Sequence, residues 1–255
     1  MKEIRRYLLL TFALTYLFWG SIGVYTQIKN VSFNSSAIML VLYVAGVISP
    51  AISAIAVKKH SLTEEEFKIF IRNILSPVKK LNWYIVAVLM VLFFKIVPFS
   101  IFGGENVASA YMILLQLPIY ILIGGLEEVG WRGLLFANLQ NELSVFKSIM
   151  LTGIIWTVWH APLFFIHGTY QEMFSSLYTF ALNTLGFTFV LSVIFQNTKS
   201  IFMCILSHAL LNSISAVLIT EETLLSSLIT LLAGVVIFFG YRLYENMKSQ
   251  ANARL

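Results

Sequence analysis

The chain has 255 residues, of which 58 % are hydrophobic and only 11 % are charged, and its mean hydropathy is +0.84. Soluble domains carry about 45–50 % apolar and about 25 % charged residues, so this composition excludes an ordinary water-soluble globule, a disordered chain and a disulfide scaffold. The net charge is +5, but the basic residues separate hydrophobic runs and form no basic domain, which argues against nucleic acid as a partner. We expect an all-α polytopic membrane protein whose partner is the lipid bilayer.

Eight hydrophobic stretches are long enough to cross a bilayer core, which is about 30 Å thick and takes about 20 helical residues. In chain order they are 7–27, 37–57, 82–101, 108–138, 146–166, 173–195, 200–219 and 223–241. They predict about eight transmembrane helices. The loops between them are too short for a second domain, so we expect residues 1–255 to form a single transmembrane domain.

The segment 61–80, between the second and third stretches, has the pattern of a surface helix. Ser61 or Thr63 can cap its start, three successive glutamates suit its positive first turn, and apolar residues follow at helical spacing. We expect an interfacial helix on the cytoplasmic surface. A plain solvated connector is the alternative.

The basic residues indicate which ends of the helices face the cytoplasm, because cytoplasmic loops carry an excess of lysine and arginine. With the amino terminus inside, eight helices leave only Lys29 in the outer loops. We therefore expect an integral protein of a bacterial cytoplasmic membrane with both termini cytoplasmic. The basic residues placed inside are Lys2, Arg5, Arg6, Lys58, Lys59, Lys68, Arg72, Lys79, Lys80, Lys147, Lys199, Arg242, Lys248 and Arg254.

Glu127, Glu128 and Arg132 form the first polar group inside an apolar stretch, within GGLEEVGWRG. Ionisable residues inside a membrane are costly, so each one suggests a functional site and needs a partner. Arg132 follows Glu128 by four residues, so the two share a helix face and can pair. Glu127 lies about 100° away around the helix and is left free for general-base chemistry. A structural ion pair at a helix end is the alternative.

Two later stretches also contain polar residues. His160 ends the run WTVWH in the fifth stretch, and a lone buried histidine there fits a structural role as well as a catalytic one. His208 and Asn212 lie four residues apart in the seventh stretch, so both project from one helix face. Such a pair can stabilise an oxyanion or coordinate a metal, and interhelical hydrogen bonding is the alternative.

The depth of these residues in the membrane links the three stretches. At 1.5 Å per residue from the cytoplasmic ends, Glu127, His160 and His208 lie roughly 20, 24 and 13 Å along their helices. Tilt, and kinks at Gly124 or Pro162, can close the differences. We expect the three stretches to meet at one polar cavity inside the membrane, and we expect this cavity to open to the cytoplasm.

In this order and on separate helices, the motifs resemble those of the CPBP intramembrane protease family. EEVGWR matches the family pattern EExxxR and HALLN matches HxxxN, while WTVWH resembles FxxxH with Trp156 in place of phenylalanine. This exchange of one aromatic residue for another carries little weight. The motif-bearing core covers residues 108–220. The family includes CAAX prenyl endopeptidases of the Rce1 type and bacterial bacteriocin-processing or self-immunity proteins.

The resemblance implies an intramembrane endopeptidase that cuts a membrane-bound, lipidated or leader-bearing peptide. Within it, Glu127 would activate a water molecule and His160 would help to position that water. Glu128 and Arg132 would form the supporting pair. This agrees with the chemistry inferred from the residues, because amide hydrolysis needs a base for water.

The resemblance also implies that His208 and Asn212 hold the carbonyl oxygen as it becomes negative. Members of the family have been described as metalloproteases and also as glutamate-dependent proteases that need no metal. Glu127, His160 and His208 are a plausible zinc set, so Zn²⁺ and a metal-free mechanism both stay open. The sequence indicates no other cofactor.

Other protease chemistries and other functions compete with this assignment. The chain has no aspartate, no HExxH and no GxSx stretch, which excludes presenilin-like chemistry and disfavours site-2-type zinc and rhomboid-like serine chemistry. One alternative is a non-catalytic self-immunity or scaffold protein that binds a bacteriocin receptor or a sensor kinase. A second is a small-solute transporter with a proton-relay glutamate, although no matching halves are visible.

Lys95 and Cys204 are two further residues with a candidate role. Lys95, inside the third stretch, can bind a substrate carboxylate, balance Glu127 or extend to the outer interface. Cys204, the only cysteine of the chain, excludes an internal disulfide. It lies four residues before His208, but membrane cysteines usually only pack.

Overall fold

A computed structural model describes residues 1–252 and shows a bundle of helices with a small two-stranded sheet. Arg254, one of the basic residues predicted to be cytoplasmic, lies outside the described residues. The helices are α1 (Lys2–Lys29), α2 (Ala37–Ser61), α3 (Glu64–Leu75), α4 (Asn82–Phe102), α5 (Met112–Leu122), α6 (Glu128–Gly130), α7 (Ala137–Leu139), α8 (Val145–Trp159), α9 (Tyr170–Phe174), α10 (Leu177–Thr198), α11 (Ile201–Ser215) and α12 (Leu224–Asn252). Short 3₁₀ helices span Phe33–Ser35, Gly125–Glu127 and Ala161–Phe165, a π-helical turn spans Trp131–Phe136, and the strands are β1 (Gly104–Asn106) and β2 (Leu218–Thr220). The predicted all-α membrane fold is confirmed.

Six helices are long and apolar enough to cross a membrane. They are Lys2–Lys29, Ala37–Ser61, Asn82–Phe102, Val145–Phe165, Leu177–Thr198 and Leu224–Gln250. α5 and the segment Gly125–Leu139 make a seventh span if they count as one helix with a bend of 40°. α11, within the predicted stretch 200–219, has 15 residues and at about 22 Å is shorter than the bilayer core. Residues 1–252 thus contain six or seven spans by length and composition, and eight stays a prediction.

Helix α3 begins with a capping box. The Thr63 hydroxyl accepts a hydrogen bond from the Glu66 N–H, and the Glu66 carboxylate accepts one from the Thr63 N–H at 2.9 Å. The apolar side of the helix buries Phe70 and Ile74, while its glutamates stay exposed. An amphipathic helix is therefore present where the sequence predicted one, and its position on the membrane surface stays a prediction.

One end of the bundle carries most of the lysine and arginine residues and is named the basic end. It consists of residues 1–6, 58–81, 140–147 and 199. The amino-terminal ammonium group lies 3.2 Å from the Glu142 carboxylate, and Lys58 Nζ lies 2.9 Å from Glu3 Oε2. Asn138 also donates a hydrogen bond to Glu3, at 2.8 Å. These contacts hold the start of α1 against the end of α2, against α7 and against the loop that precedes α8.

The opposite end is named the loop end and consists of residues 30–36, 103–111, 166–176 and 216–223. There the Phe33 N–H donates to the His167 carbonyl oxygen at 2.9 Å. β1 pairs with β2 in antiparallel register, with Glu105 opposite Ile219. The sheet therefore joins the chain that leaves α4 to the chain that leaves α11.

A hydrogen-bond chain around Pro50 fixes three helices beside the first part of the site. Pro50 lacks an N–H, so the Gly46 carbonyl of α2 has no helical partner. The Thr15 hydroxyl of α1 donates to that carbonyl at 3.3 Å, and Trp159 Nε1 of α8 donates to the Thr15 hydroxyl at 2.7 Å. Side-chain donors of this kind allow proline inside membrane helices. Trp159 in turn packs edge-on against His160, with ring centroids 4.5 Å apart.

Candidate active site

A break after α5 brings the first motif against the third. α5 ends at Leu122, and Gly124 takes a φ of +118°, a conformation that residues with a side chain rarely adopt. A Cβ on Gly124 would overlap Asn212 Nδ2 and lie 3.2 Å from His208 Nε2. The absent side chain thus lets α11 bring His208 and Asn212 against the segment that carries Glu127.

Two tryptophans hold Glu127 at the wall of the site. Only 5 % of Glu127 is exposed, and its Oε2 accepts hydrogen bonds from Trp156 Nε1 at 2.9 Å and Trp131 Nε1 at 3.3 Å. An indole N–H can only donate, so both partners suit an ionised carboxylate. Oε1 makes no hydrogen bond to residues 1–252. This second oxygen is therefore available to water or substrate.

Glu128 lies at the centre of a polar group behind Glu127. Glu128 and Arg132 are fully buried, and Arg132 Nη1 lies 2.8 Å from Glu128 Oε2. The Arg132 guanidinium also lies 4.7 Å from the centroid of the Trp156 ring. His208 Nδ1 lies 2.8 Å from Glu128 Oε1. Because a carboxylate only accepts hydrogen bonds, His208 Nδ1 carries a proton and Nε2 remains for substrate.

His160 follows the last residue of α8 and is fixed by its own helix. Its Nδ1 lies 2.8 Å from the Trp156 carbonyl oxygen, which can only accept, so Nδ1 is the donor and Nε2 remains free of this contact. The ring centroids of Trp159 and Phe180 lie 4.5 and 4.8 Å from that of His160. The imidazole ring is therefore held in one orientation and is packed against aromatic side chains.

Four of the six motif residues share one cavity of about 460 Å³, a size that suits a small ligand or a short stretch of peptide. Those on its wall are Glu127, His160, His208 and Asn212. Glu128 and Arg132 do not line it and contact it only through His208 and Trp156. The three segments that the sequence predicted to meet therefore do meet, and four of the six predicted site residues face a common space.

The cavity extends to the loop end of the bundle. Its wall includes Phe33, Thr169, Tyr170 and Glu222 of the loop-end segments, whereas none of the residues that form the basic end lines it. The cavity therefore reaches the end of the bundle opposite the basic end. A cavity open to the cytoplasm and cytoplasmic termini do not hold together in this fold, and each stays a prediction. Depth along a helix follows from the sequence, but the direction in which the space between helices widens does not.

The residues present do not fit a zinc site in this arrangement. Within residues 1–252, no three histidine, cysteine or acidic side chains lie close enough together to hold a metal ion. Glu127 Oε1 and the Nε2 atoms of His160 and His208 make no hydrogen bond to the described part of the chain, but the three side chains do not lie close enough together there to share one ion. A closed zinc site needs four ligands, and a catalytic one needs three from the protein.

Sequence reasoning missed the two tryptophans as partners of Glu127. Trp131 follows Glu127 by four residues, so the spacing that linked Glu128 to Arg132 would have found it. Trp156 lies 29 residues away on another helix. Phenylalanine has no N–H to donate, so the exchange for tryptophan, to which the sequence pattern gave little weight, adds a hydrogen bond to the site.

Comparison with known proteins agrees with this geometry. Residues 108–214 match the family described as type II CAAX prenyl endopeptidase Rce1-like, a range that includes every motif residue from Glu127 to Asn212. The chain is also 30 % identical over 264 residues to the CAAX prenyl protease 2 of Methanococcus maripaludis, with 93 % of this chain and 94 % of the relative covered. On this evidence the chain belongs to the Rce1-like family and is a membrane-embedded endopeptidase of that type.

Proposed function

We propose that the protein hydrolyses a peptide bond in a membrane-bound, lipidated or leader-bearing peptide, using water activated by Glu127 and no metal ion. The common cavity carries this proposal, because it holds a carboxylate, two imidazoles and an amide on one wall. Amide hydrolysis needs a base for water and donors for the oxyanion. Membership of the Rce1-like family supports the same chemistry.

In the first step, Glu127 Oε1 takes a proton from a water molecule, and the oxygen of that water attacks the carbonyl carbon of the substrate. The two indole hydrogen bonds to Oε2 keep the carboxylate in place while Oε1 reacts. His160 Nε2 accepts a hydrogen bond from the other O–H of the water and so orients it. In the second step, Glu127 returns the proton to the leaving nitrogen as the carbon–nitrogen bond breaks.

The negative oxygen of the intermediate is held by His208 and Asn212. Asn212 Nδ2 makes a long hydrogen bond of 3.4 Å to the Ile123 carbonyl, so its second hydrogen is available to the substrate. His208 donates from Nε2 in its doubly protonated form, and Glu128 stabilises that form from the Nδ1 side. Arg132 fixes Glu128 in turn, so the supporting pair acts through His208.

The basic residues support a membrane orientation with both termini cytoplasmic. In that orientation the loop end lies on the non-cytoplasmic side, and the substrate reaches the cavity from there. The substrate would then be a peptide anchored in the outer half of the membrane or exported through it.

A cleavage assay on the purified protein in liposomes tests this function. Acyl-anchored, prenylated and leader-bearing peptides are the substrates, with mass spectrometry to locate the cut. We expect Glu127→Gln to lower kcat by about 10²–10⁴-fold, because it removes the base. His208→Ala is expected to lower kcat by about 10²–10³-fold, because it removes an oxyanion donor.

Glu245→Gln is the matched control, since Glu245 is an exposed carboxylate of α12 bonded to Tyr241 outside the cavity. It should cut as fast as the wild type. If Glu127→Gln also cuts at the wild-type rate, the proposed mechanism is wrong. If a protective phenotype in cells persists in Glu127→Gln while cleavage is lost, the protein acts as an immunity or scaffold protein.

A further inference from the structure

Lys95 is a cationic side chain on the wall of the same cavity. Within residues 1–252 it is the only lysine or arginine that lines this cavity. It lies in α4, seven residues before the end of that helix at Phe102, or about 10 Å along the axis. The proposed mechanism gives it no role.

The position of Lys95 on α4 argues against a side chain that faces lipid. Val91 and Phe94, on the same face of the helix, are 0 % and 4 % exposed. Phe93 and Ile96, on the other face, are 43 % and 42 % exposed and face the surroundings of the bundle. Lys95 is half-buried on the inner face, so its ammonium group belongs to the cavity.

No protein carboxylate neutralises that ammonium group directly. Across residues 1–252, Lys95 Nζ makes no hydrogen bond and has no carboxylate within 4.0 Å. Glu222 lines the same cavity, but each of its oxygens already accepts two hydrogen bonds, which fills the capacity of a carboxylate. The four donors are Tyr170 Oη, Ser175 Oγ, Thr179 Oγ1 and Asn183 Nδ2, at 3.1, 2.6, 3.2 and 3.3 Å.

We propose that Lys95 binds a carboxylate of the peptide substrate and so sets which way the peptide lies in the cavity. This rests on the proposed hydrolysis at Glu127. An ammonium group without a partner in an apolar surround is costly, and a carboxylate from the ligand offsets that cost. Glu127 repels the same carboxylate, so the charged part of the peptide lies at Lys95 and the bond to be cut lies at Glu127. The carboxylate comes either from the peptide's C-terminus or from an aspartate or glutamate side chain.

Four acyl-anchored fluorogenic peptides of otherwise identical sequence distinguish these sources. They combine a C-terminal acid or amide with glutamate or glutamine at one internal position. For the wild type we expect KM to rise about tenfold or more when the recognised carboxylate is removed, since a charge-assisted contact is lost. The value of kcat should change little, because Lys95 does not touch the reacting atoms.

The variants Lys95→Met and Lys95→Arg supply the second half of the test. Lys95→Met should raise KM about tenfold or more for the recognised peptide and leave KM unchanged for its neutral counterpart. Lys95→Arg keeps the charge and should retain most of the affinity. Lys29→Met, which removes an exposed lysine outside the cavity, should behave as the wild type.

Several results would overturn the assignment. Equal loss of cleavage by Lys95→Met on charged and neutral peptides would show a structural role or a lipid contact. Equal KM values of the wild type for all four peptides would show that no carboxylate is recognised, while leaving the hydrolysis intact. A wild type that cleaves none of the four, nor the prenylated and leader-bearing peptides, would overturn the proposed function and this proposal with it.

Discussion

At the scale of single residues, the Glu127 carboxylate depends on the two tryptophans that donate to its Oε2. Hydrogen bonds to a charged group contribute more than neutral ones, about 1.5–3 kcal/mol each. Trp156 makes the shorter of the two, at 2.9 Å against 3.3 Å for Trp131. The position of the carboxylate, and with it that of Oε1, therefore depends most on Trp156.

Trp156→Phe keeps an aromatic ring at this position and removes the indole N–H together with part of the ring system. We expect kcat to fall about tenfold or more while KM changes little, because the base is less well positioned and substrate contacts remain. Steady-state kinetics on the cleaved peptide measures both constants. Trp83→Phe is the control, since Trp83 packs on Tyr241 away from the cavity. An unchanged kcat for Trp156→Phe would show that Trp131 alone holds Glu127.

Whether a contact in the site could be predicted depends on how far apart its two residues lie along the chain. The Glu128–Arg132 pair could be predicted because both residues belong to one helical turn, where spacing fixes the geometry. The contact between His208 and Glu128 spans 80 residues and depends on how α11 packs. The sequence predicted that these groups would meet but not that His208 would bond to Glu128.

At the scale of helical elements, the break at Gly124 decides whether the site forms. The predicted stretch 108–138 was continuous by hydrophobicity, and only the paired glycines hinted at a kink. The positive φ of Gly124 and the closeness of Asn212 explain why the helix ends there. Further along, the π-helical turn Trp131–Phe136 adds an irregularity of a kind that is frequent at functional sites.

Gly124→Ala should disrupt this junction, because a side chain at that φ is strained by about 1–3 kcal/mol and would displace Asn212. We expect peptide cleavage to fall at least about tenfold, with a lower melting temperature in detergent. Gly20→Ala, in α1, is the control, since nothing lies within 4 Å of a Cβ there. Full activity in Gly124→Ala would mean that α11 can move aside without harm to the site.

At the scale of the whole molecule, the basic residues and the cavity lie towards opposite ends of the bundle. The lysines and arginines gather at the basic end, and the cavity extends to the loop end. The distribution of charge could be predicted from the sequence alone, because each charge belongs to one residue. The direction of the cavity could not be predicted, because its wall combines residues from eight or more separate segments, from Trp19 to Thr230.

Cysteine labelling in intact cells tests this orientation. In a Cys204→Ser background, which removes the one native and fully buried thiol, Ser35→Cys reports on the loop end and Asn73→Cys on the basic end. We expect a membrane-impermeant maleimide to label Ser35→Cys in intact cells and Asn73→Cys only after lysis. The reverse pattern would place the termini outside and the cavity mouth in the cytoplasm.

The two-stranded sheet at the loop end also bears on where a substrate is cut. β1 continues from α4, which carries Lys95, and β2 continues from α11, which carries His208 and Asn212. The hydrogen bonds between the two strands fix the separation of the two helix ends. If Lys95 anchors a substrate carboxylate as proposed, this fixed separation predicts a constant number of residues between that carboxylate and the scissile bond, whatever side chains lie between.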